Sequence, residues 1–304
     1  MIEKRLLFVF FLSFAVCAQI KGVVVDENNK PIPYVNIWYE NGALVTTSED
    51  IGTFSLEIKN QEKNLIFSAL GFETKIIDVK ETEKVVLKTV NIKLEEVEIK
   101  RSFLKQQKEF GYYESWGFRW HEDYFVNAIF FNISEGERDN YSFIKEIKFR
   151  TLSENKNAKI RIYLVAVNAD GSPSENTLSD ELILEVKKGN SKNIIDFSTM
   201  KIAIPENGFF IVFEKLKIEQ NKHYEEFYFK DNNGNKITRK GMSYQPEIAL
   251  VPLKEAVGWN KRVNDKWEKS AKTKMQKPKS YENLLMKKYH NNYLVPAVNL
   301  TITN

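Results

Sequence analysis

Residues 22–80 read GVVVDENNKPIPYVNIWYENGALVTTSEDIGTFSLEIKNQEKNLIFSALGFETKIIDVK. Short runs of β-branched and aromatic residues alternate with turn formers: Asp26 to Lys30, Pro31-Ile-Pro33, Asn41-Gly42 and Glu49 to Gly52. Phe54-Ser-Leu-Glu-Ile58 has the two-residue period of a strand with one buried face. The pattern predicts strands over 21–25, 34–39, 43–47, 54–58, 64–70, 74–79 and 85–94. Pro31 and Pro33 confine the second of them to a start or an edge, because proline lacks the amide a central ladder needs. Seven short strands cut by Asn, Asp, Gly and Pro make a small antiparallel sandwich.

Upstream, Lys4 and Arg5 precede an apolar run over 6–14, and Val16-Cys-Ala18 places small residues where a signal peptidase reads. The spacing predicts a signal peptide over 1–18, cleaved before Gln19. The apolar run falls short of the roughly 20 residues a membrane-spanning helix needs, and no later stretch is longer, so the mature chain is expected to have no transmembrane segment. Cys17 is the only cysteine. Val16 occupies the position where a lipid-modified cysteine wants a smaller residue, so Cys17 is expected to leave with the leader. A mature chain without cysteine has no disulfide framework and no thiolate for catalysis or zinc.

Downstream, the sandwich is expected to occupy 19–101, with a polar linker over 102–109. The chain has 45 Lys and Arg against 41 Asp and Glu, too even for a nucleic-acid footprint. With 42% hydrophobic and 13% aromatic residues it has material for packed cores, and 304 residues suit two domains. From 110 onward the strands continue to the end of the chain. Residues 142–151 are read as pairing with 159–168, and the latter, apolar on both faces, as a central strand. Residues 208–216 form a nearly continuous apolar run suited to the middle of a second sandwich. Asn168-Ala-Asp-Gly171 and residues 231–235 (DNNGN) are hairpin turns by composition. The second also resembles half of a calcium loop but lacks a later bidentate glutamate and flanking helices. No cofactor is expected, with room left for a structural calcium elsewhere. The final strand, 293–303, is read as closing the sheet.

The first stretch resembles the carboxypeptidase regulatory-like domain. The resemblance is carried by Gly22-Val-Val-Val-Asp26, Pro31-Ile-Pro33, Val35-Asn-Ile37, Asp50, Gly52, Phe54-Ser-Leu56, Phe67-Ser68 and Gly71-Phe72. Ile51 separates the acidic residue from the glycine, which are adjacent in the family, and this bears on the turn rather than the fold. The resemblance implies a transthyretin-like sandwich of seven strands, of a kind found in exported and outer-membrane proteins of Gram-negative bacteria. The fold class expected for the whole chain is therefore all-β: that sandwich, then a larger jelly-roll-like sandwich over 110–304 with a basic insertion at 254–290. The likeness of the second domain to carbohydrate-binding sandwiches is one of general shape.

The family title raises the question of peptidase chemistry. His223-Tyr-Glu-Glu226 satisfies the HxxE spacing of a zinc site, which needs two imidazoles and a carboxylate around an open position. With three histidines and 41 acidic residues in the chain, such a spacing arises readily by chance. The segments around it read as strands, so His223 and Glu226 are not taken as metal ligands and no catalytic residue is assigned. The aromatic run over 110–131 offers Tyr112, Trp116 and Trp120 as a platform on which sugar rings would stack, against a competing reading as core. The basic stretch 254–290 carries eleven Lys or Arg against four acidic residues. Such a lobe can associate with anionic polysaccharide or lipid headgroups at a membrane surface, against a competing and preferred reading as a solvated lysine-rich insertion.

The functional expectation is a non-catalytic, exported envelope protein, periplasmic or outer-membrane associated, that binds glycan or an envelope protein as an accessory module. Two alternatives stay open: a hydrolase of envelope polymers, and a structural subunit of a surface transport or adhesion complex.

Overall fold

The computed structural model describes residues 19–58, 63–90, 106–111, 118–119, 125–230, 236–261, 266–273 and 289–304. The protein is all-β. Its first seven strands are β1 (Gln19–Val25), β2 (Asn36–Tyr39), β3 (Leu44–Thr47), β4 (Thr53–Glu57), β5 (Asn64–Ser68), β6 (Lys75–Asp78) and β7 (Lys84–Val86). They form two sheets, β4-β1-β7 and β3-β2-β5-β6, with β1 antiparallel to β4 and parallel to β7. Val24, Phe54, Leu56 and Val85 from one sheet meet Ile37, Leu65, Phe67 and Ile77 from the other in a single core. Each such side chain contributes about 1.5–3 kcal/mol by leaving water.

Two glycines in this sandwich are there for space. A Cβ on Gly22 would lie 2.1 Å from the Thr82 carbonyl oxygen and 2.6 Å from the Phe54 ring. Gly52 has φ +74° and a Cβ position 2.6 Å from the Val24 carbonyl. The extra residue of the β3–β4 turn, Ile51, is 63% exposed, so the insertion bulges into solvent and the turn still closes through Gly52 N–H to the Glu49 carbonyl at 2.9 Å.

The remaining strands are β8 (Gln107–Gly111), β9 (Phe118–Arg119), β10 (Val126–Phe131), β11 (Phe143–Ser153), β12 (Ala158–Val167), β13 (Pro173–Thr177), β14 (Leu182–Val186), β15 (Gly189–Asp196), β16 (Phe209–Lys215), β17 (Lys222–Lys230), β18 (Lys236–Tyr244), β19 (Glu247–Leu253), β20 (Gly258–Lys261), β21 (Trp267–Lys269), β22 (Tyr293–Pro296) and β23 (Val298–Thr303). One sheet runs β13-β12-β16-β10-β20-β21 with β14 also on β12; the other runs β22-β19-β11-β23-β8 with β15 on β11 and β9 on β19. Between them lie Ile162, Leu164, Ile211 and Phe213 on one side and Ile147, Phe149, Leu300 and Ile302 on the other. Phe149 and Phe213 touch across the layers, their ring centroids 5.0 Å apart.

β12 is central, as its two apolar faces require, and β16 is buried along its whole length between β12 and β10. One pairing differs from the reading of the sequence. β11 does not pair with β12; the two lie in opposite sheets, and the connection at 154–157 crosses the sandwich. Length and alternation matched, but pattern alone does not tell a hairpin from an arch between layers. The final stretch, read as one strand closing the sheet, divides into β22 on β19 and β23 between β11 and β8, which ties the C-terminus into the fold. The polar stretch read as a linker supplies Gln107, Lys108 and Glu109 to β8, an edge strand on β23 that tolerates polar side chains. β17 and β18 pair only with each other, forming a two-stranded ribbon. The turn at 231–235, and residues 262–265 and 274–288 of the basic insertion, lie outside the described residues.

Candidate functional site: the seam and cleft between the sandwiches

Pro31-Ile-Pro33 delivers Tyr34 in the left-handed region, at φ +56°, an uncommon conformation for a tyrosine. The second sandwich grips it from several sides. Its carbonyl accepts a hydrogen bond from a terminal Arg161 nitrogen (Nη2). Its hydroxyl accepts one from Lys159 Nζ at 3.0 Å, and its ring packs against Leu216 and Ile218.

Arg161 lies on β12 directly across from Glu214 on β16. Both are buried, at 3% and 4% exposure, and their side chains pair at 2.8 Å. Glu214 also accepts from Asn36 Nδ2 of the first sandwich at 2.6 Å and from the Tyr163 hydroxyl at 3.3 Å. Glu181 Oε2 lies 2.9 Å from Arg161 Nε. Burial works against the Arg161 charge, but the Glu214 and Glu181 carboxylates outweigh it and hold the guanidinium above its ordinary pKa. Burial, then the Glu214 charge, pushes the Tyr163 hydroxyl well up. Burial also raises Glu181, with Arg161 pulling the other way. An ion pair so desolvated fixes geometry, since its Coulomb gain is largely offset by the loss of water.

Beside this seam the two sandwiches are bridged by main chain. Thr47 N–H donates to the Lys217 carbonyl at 3.3 Å, Lys217 N–H donates to Thr47 Oγ1 at 3.1 Å, and Glu219 N–H donates to Glu49 Oε1 at 2.9 Å. Lys217 Nζ donates to the Leu44 carbonyl at 2.5 Å and sits 4.1 Å from the Phe125 ring centre. The free edge of β3 is thus covered by residues 217–219. Burial raises the Glu49 carboxyl above its usual value, partly offset by the Glu219 amide.

Next to that contact a cleft of about 820 Å³ remains open. Tyr39, the β3 strand, Lys21 and the β4 strand line one wall; Lys217, Glu219, Lys222, Tyr224, Met242 and Tyr244 line the other. Tyr224 and Met242 are cross-strand partners on the ribbon and are 67% and 46% exposed. The volume falls within the roughly 300–1,000 Å³ range of ligand sites, and the lining mixes aromatic surface with a few polar groups.

Of the sequence-predicted platform, Tyr112, Trp116 and Trp120 lie outside the described residues. His223 and Glu226 stand three apart on a strand, so they project to opposite faces of the ribbon and cannot share an ion. Glu226 instead accepts from the Tyr228 hydroxyl at 3.1 Å. Among the described residues no three His, Cys, Asp or Glu side chains gather as a metal site. No helix among them is long and apolar enough to cross a membrane.

Sequence reasoning missed Tyr34, Asn36, Arg161 and Glu214. The signal available was an ionisable residue inside each of two strands otherwise read as apolar on both faces, since buried charges require partners.

Residues 20–100 match the family model of the CarboxypepD_reg-like domain, about a quarter of the chain. Comparison with curated proteins gave no match. Among solved structures, a chain from the structure of infectious bursal disease virus, Gx strain, aligns at 8% identity with a TM-score of 0.23, over 90% of this chain and 57% of that one. This chain therefore spans little more than half of the viral chain, and a likeness at that score carries no argument.

Proposed function

We propose that the protein is a non-catalytic, exported accessory module of a bacterial cell envelope, and that its ligand, glycan or protein, is held in the cleft between the two sandwiches. The observation that carries this reading is that a cleft with one wall of aromatic and polar side chains from each sandwich lies beside a buried network that joins them. The CarboxypepD_reg-like match supports the accessory character of the first sandwich. The leader-like residues 1–18 support export.

A glycan array probed with residues 19–304, together with photo-crosslinking from position 242 in intact cell envelopes, tests it. The expected result is a ligand whose capture falls at least about tenfold in Tyr224→Ala and survives Trp116→Ala/Trp120→Ala. Loss only in the tryptophan variant would move the site to the 112–120 stretch. Turnover of an envelope polymer by the purified protein would replace the reading with the hydrolase alternative.

A further inference from the structure

We infer that the cleft takes an extended peptide segment, added as a strand to the free edge of β4 at Ser55 with one side chain directed to Tyr224 and Met242; this rests on the binding reading above. The hydrogen-bond direction of β4 follows from its neighbours. Val24 N–H donates to the Gly52 carbonyl, while Val23 N–H turns the other way, to the Glu83 carbonyl. In an antiparallel pair the bonded positions alternate. With Gly22 opposite Phe54 and Ile20 opposite Leu56, residues 52, 54 and 56 bond to β1, and 53, 55 and 57 face outward. The Thr53 carbonyl is taken by Glu49 N–H at 2.7 Å and the Glu57 carbonyl by the Tyr39 hydroxyl at 3.3 Å. Between them, the N–H and C=O of Ser55 point into the cleft with no partner among the described residues.

The position is continuous with an interface already formed. The β3 edge of the same sandwich is covered by main chain from residues 217–219, whereas the adjacent β4 edge is left open. A donor and an acceptor side by side on a sheet edge are complemented by another main chain, and alternate side chains of that chain would then meet the two cleft walls. Charge points the same way. Lys21, Lys217 and Lys222 are balanced by Glu49, Glu57 and Glu219, so the cleft gives no net attraction to a polyanion and suits an occupant whose recognised part is neutral. The exposed Tyr224–Met242 pair favours an apolar or aromatic side chain at the position facing it.

The test is selection of phage-displayed random dodecapeptides on the 19–304 chain, followed by binding measurements on synthetic copies. Ser55→Pro removes the outward N–H without touching the β1 ladder, and Ser55→Ala keeps it. Circular dichroism and thermal melting check that both variants are folded. The inference expects enriched peptides that bind wild type and Ser55→Ala alike, lose at least about tenfold with Ser55→Pro, and lose as much when N-methylated at one alternate set of amides. It is overturned if selection enriches nothing, or if binders ignore Ser55→Pro and N-methylation. Two further outcomes also overturn it: a glycan held in the cleft through Tyr224 but indifferent to Ser55→Pro, and self-association abolished by Ser55→Pro. The glycan outcome leaves the wider binding reading intact, so the two failures are distinguishable.

Discussion

Replacing Arg161 with methionine is expected to destabilise the protein by about 3–5 kcal/mol, because it leaves buried carboxylates without their counter-charge. Methionine restores much of the volume, so the loss comes from electrostatics and hydrogen bonding rather than a cavity. Glu214, 4% exposed, would keep only Asn36 and Tyr163, and the Tyr34 carbonyl would lose its Arg161 donor. Adding Glu214→Gln to Arg161→Met should recover part of the stability, since the amide oxygen can still accept from Asn36 while the amide nitrogen donates to the Tyr163 hydroxyl, with no stranded charge. The variant's pH dependence has a definite sign. Burial raises the Glu181 carboxyl and Arg161 pulls it back; without that cation its folded pKa lies further above its unfolded one, so the penalty is absent at acid pH and grows as pH rises through the carboxylate range. Arg161→Met alone should therefore lose stability between acid and neutral pH more steeply than wild type. Chemical denaturation at several pH values measures this, and additive costs for the two substitutions would contradict it.

Phe213→Ala is expected to cost about 3–5 kcal/mol by transfer and cavity terms. Phe213 is fully buried on β16, between β12 and β10, and its ring meets Phe149 across the sandwich. Phe213→Leu, which keeps most of the volume, should cost markedly less. A loss below about 1 kcal/mol for Phe213→Ala in urea denaturation would show that the centre of the second core is not where the structure puts it.

The fold was legible where one physical signal dominates. The alternation of Phe54, Leu56 and their polar neighbours, and the five-residue apolar run Phe209 to Phe213 of β16, each led to the observed strand. Turn chemistry at Gly52 and at Asn168 to Gly171 was equally readable, since Gly52 and Gly171 take positive φ. Partner choice was not. β11 and β12 carry patterns compatible with a hairpin, and only the layered packing of the whole second half separates them. The polar residues 107–109 looked like linker because an edge strand need bury only one face, and β8 buries little. The candidate site was the least legible part. Its seam depends on Tyr34 and Asn36 meeting Arg161 and Glu214, residues more than a hundred positions apart, and no local period reports such a contact. The cleft depends on that seam and on the β17–β18 ribbon.

The whole account stands on the two sandwiches being held as one body by the Arg161–Glu214–Asn36 network, since the cleft exists only between them. A chain beginning at Gln19 contains no cysteine, so spin labels can be placed singly at exposed positions. Ile76 on β6 and Ile194 on β15 are 60% and 57% exposed and lie on different sandwiches. Double electron–electron resonance between Ile76→Cys and Ile194→Cys is the direct measurement. One narrow distance distribution, broadened by Arg161→Met, is the expected result. A broad distribution in the otherwise unaltered chain, unchanged by Arg161→Met, would contradict it.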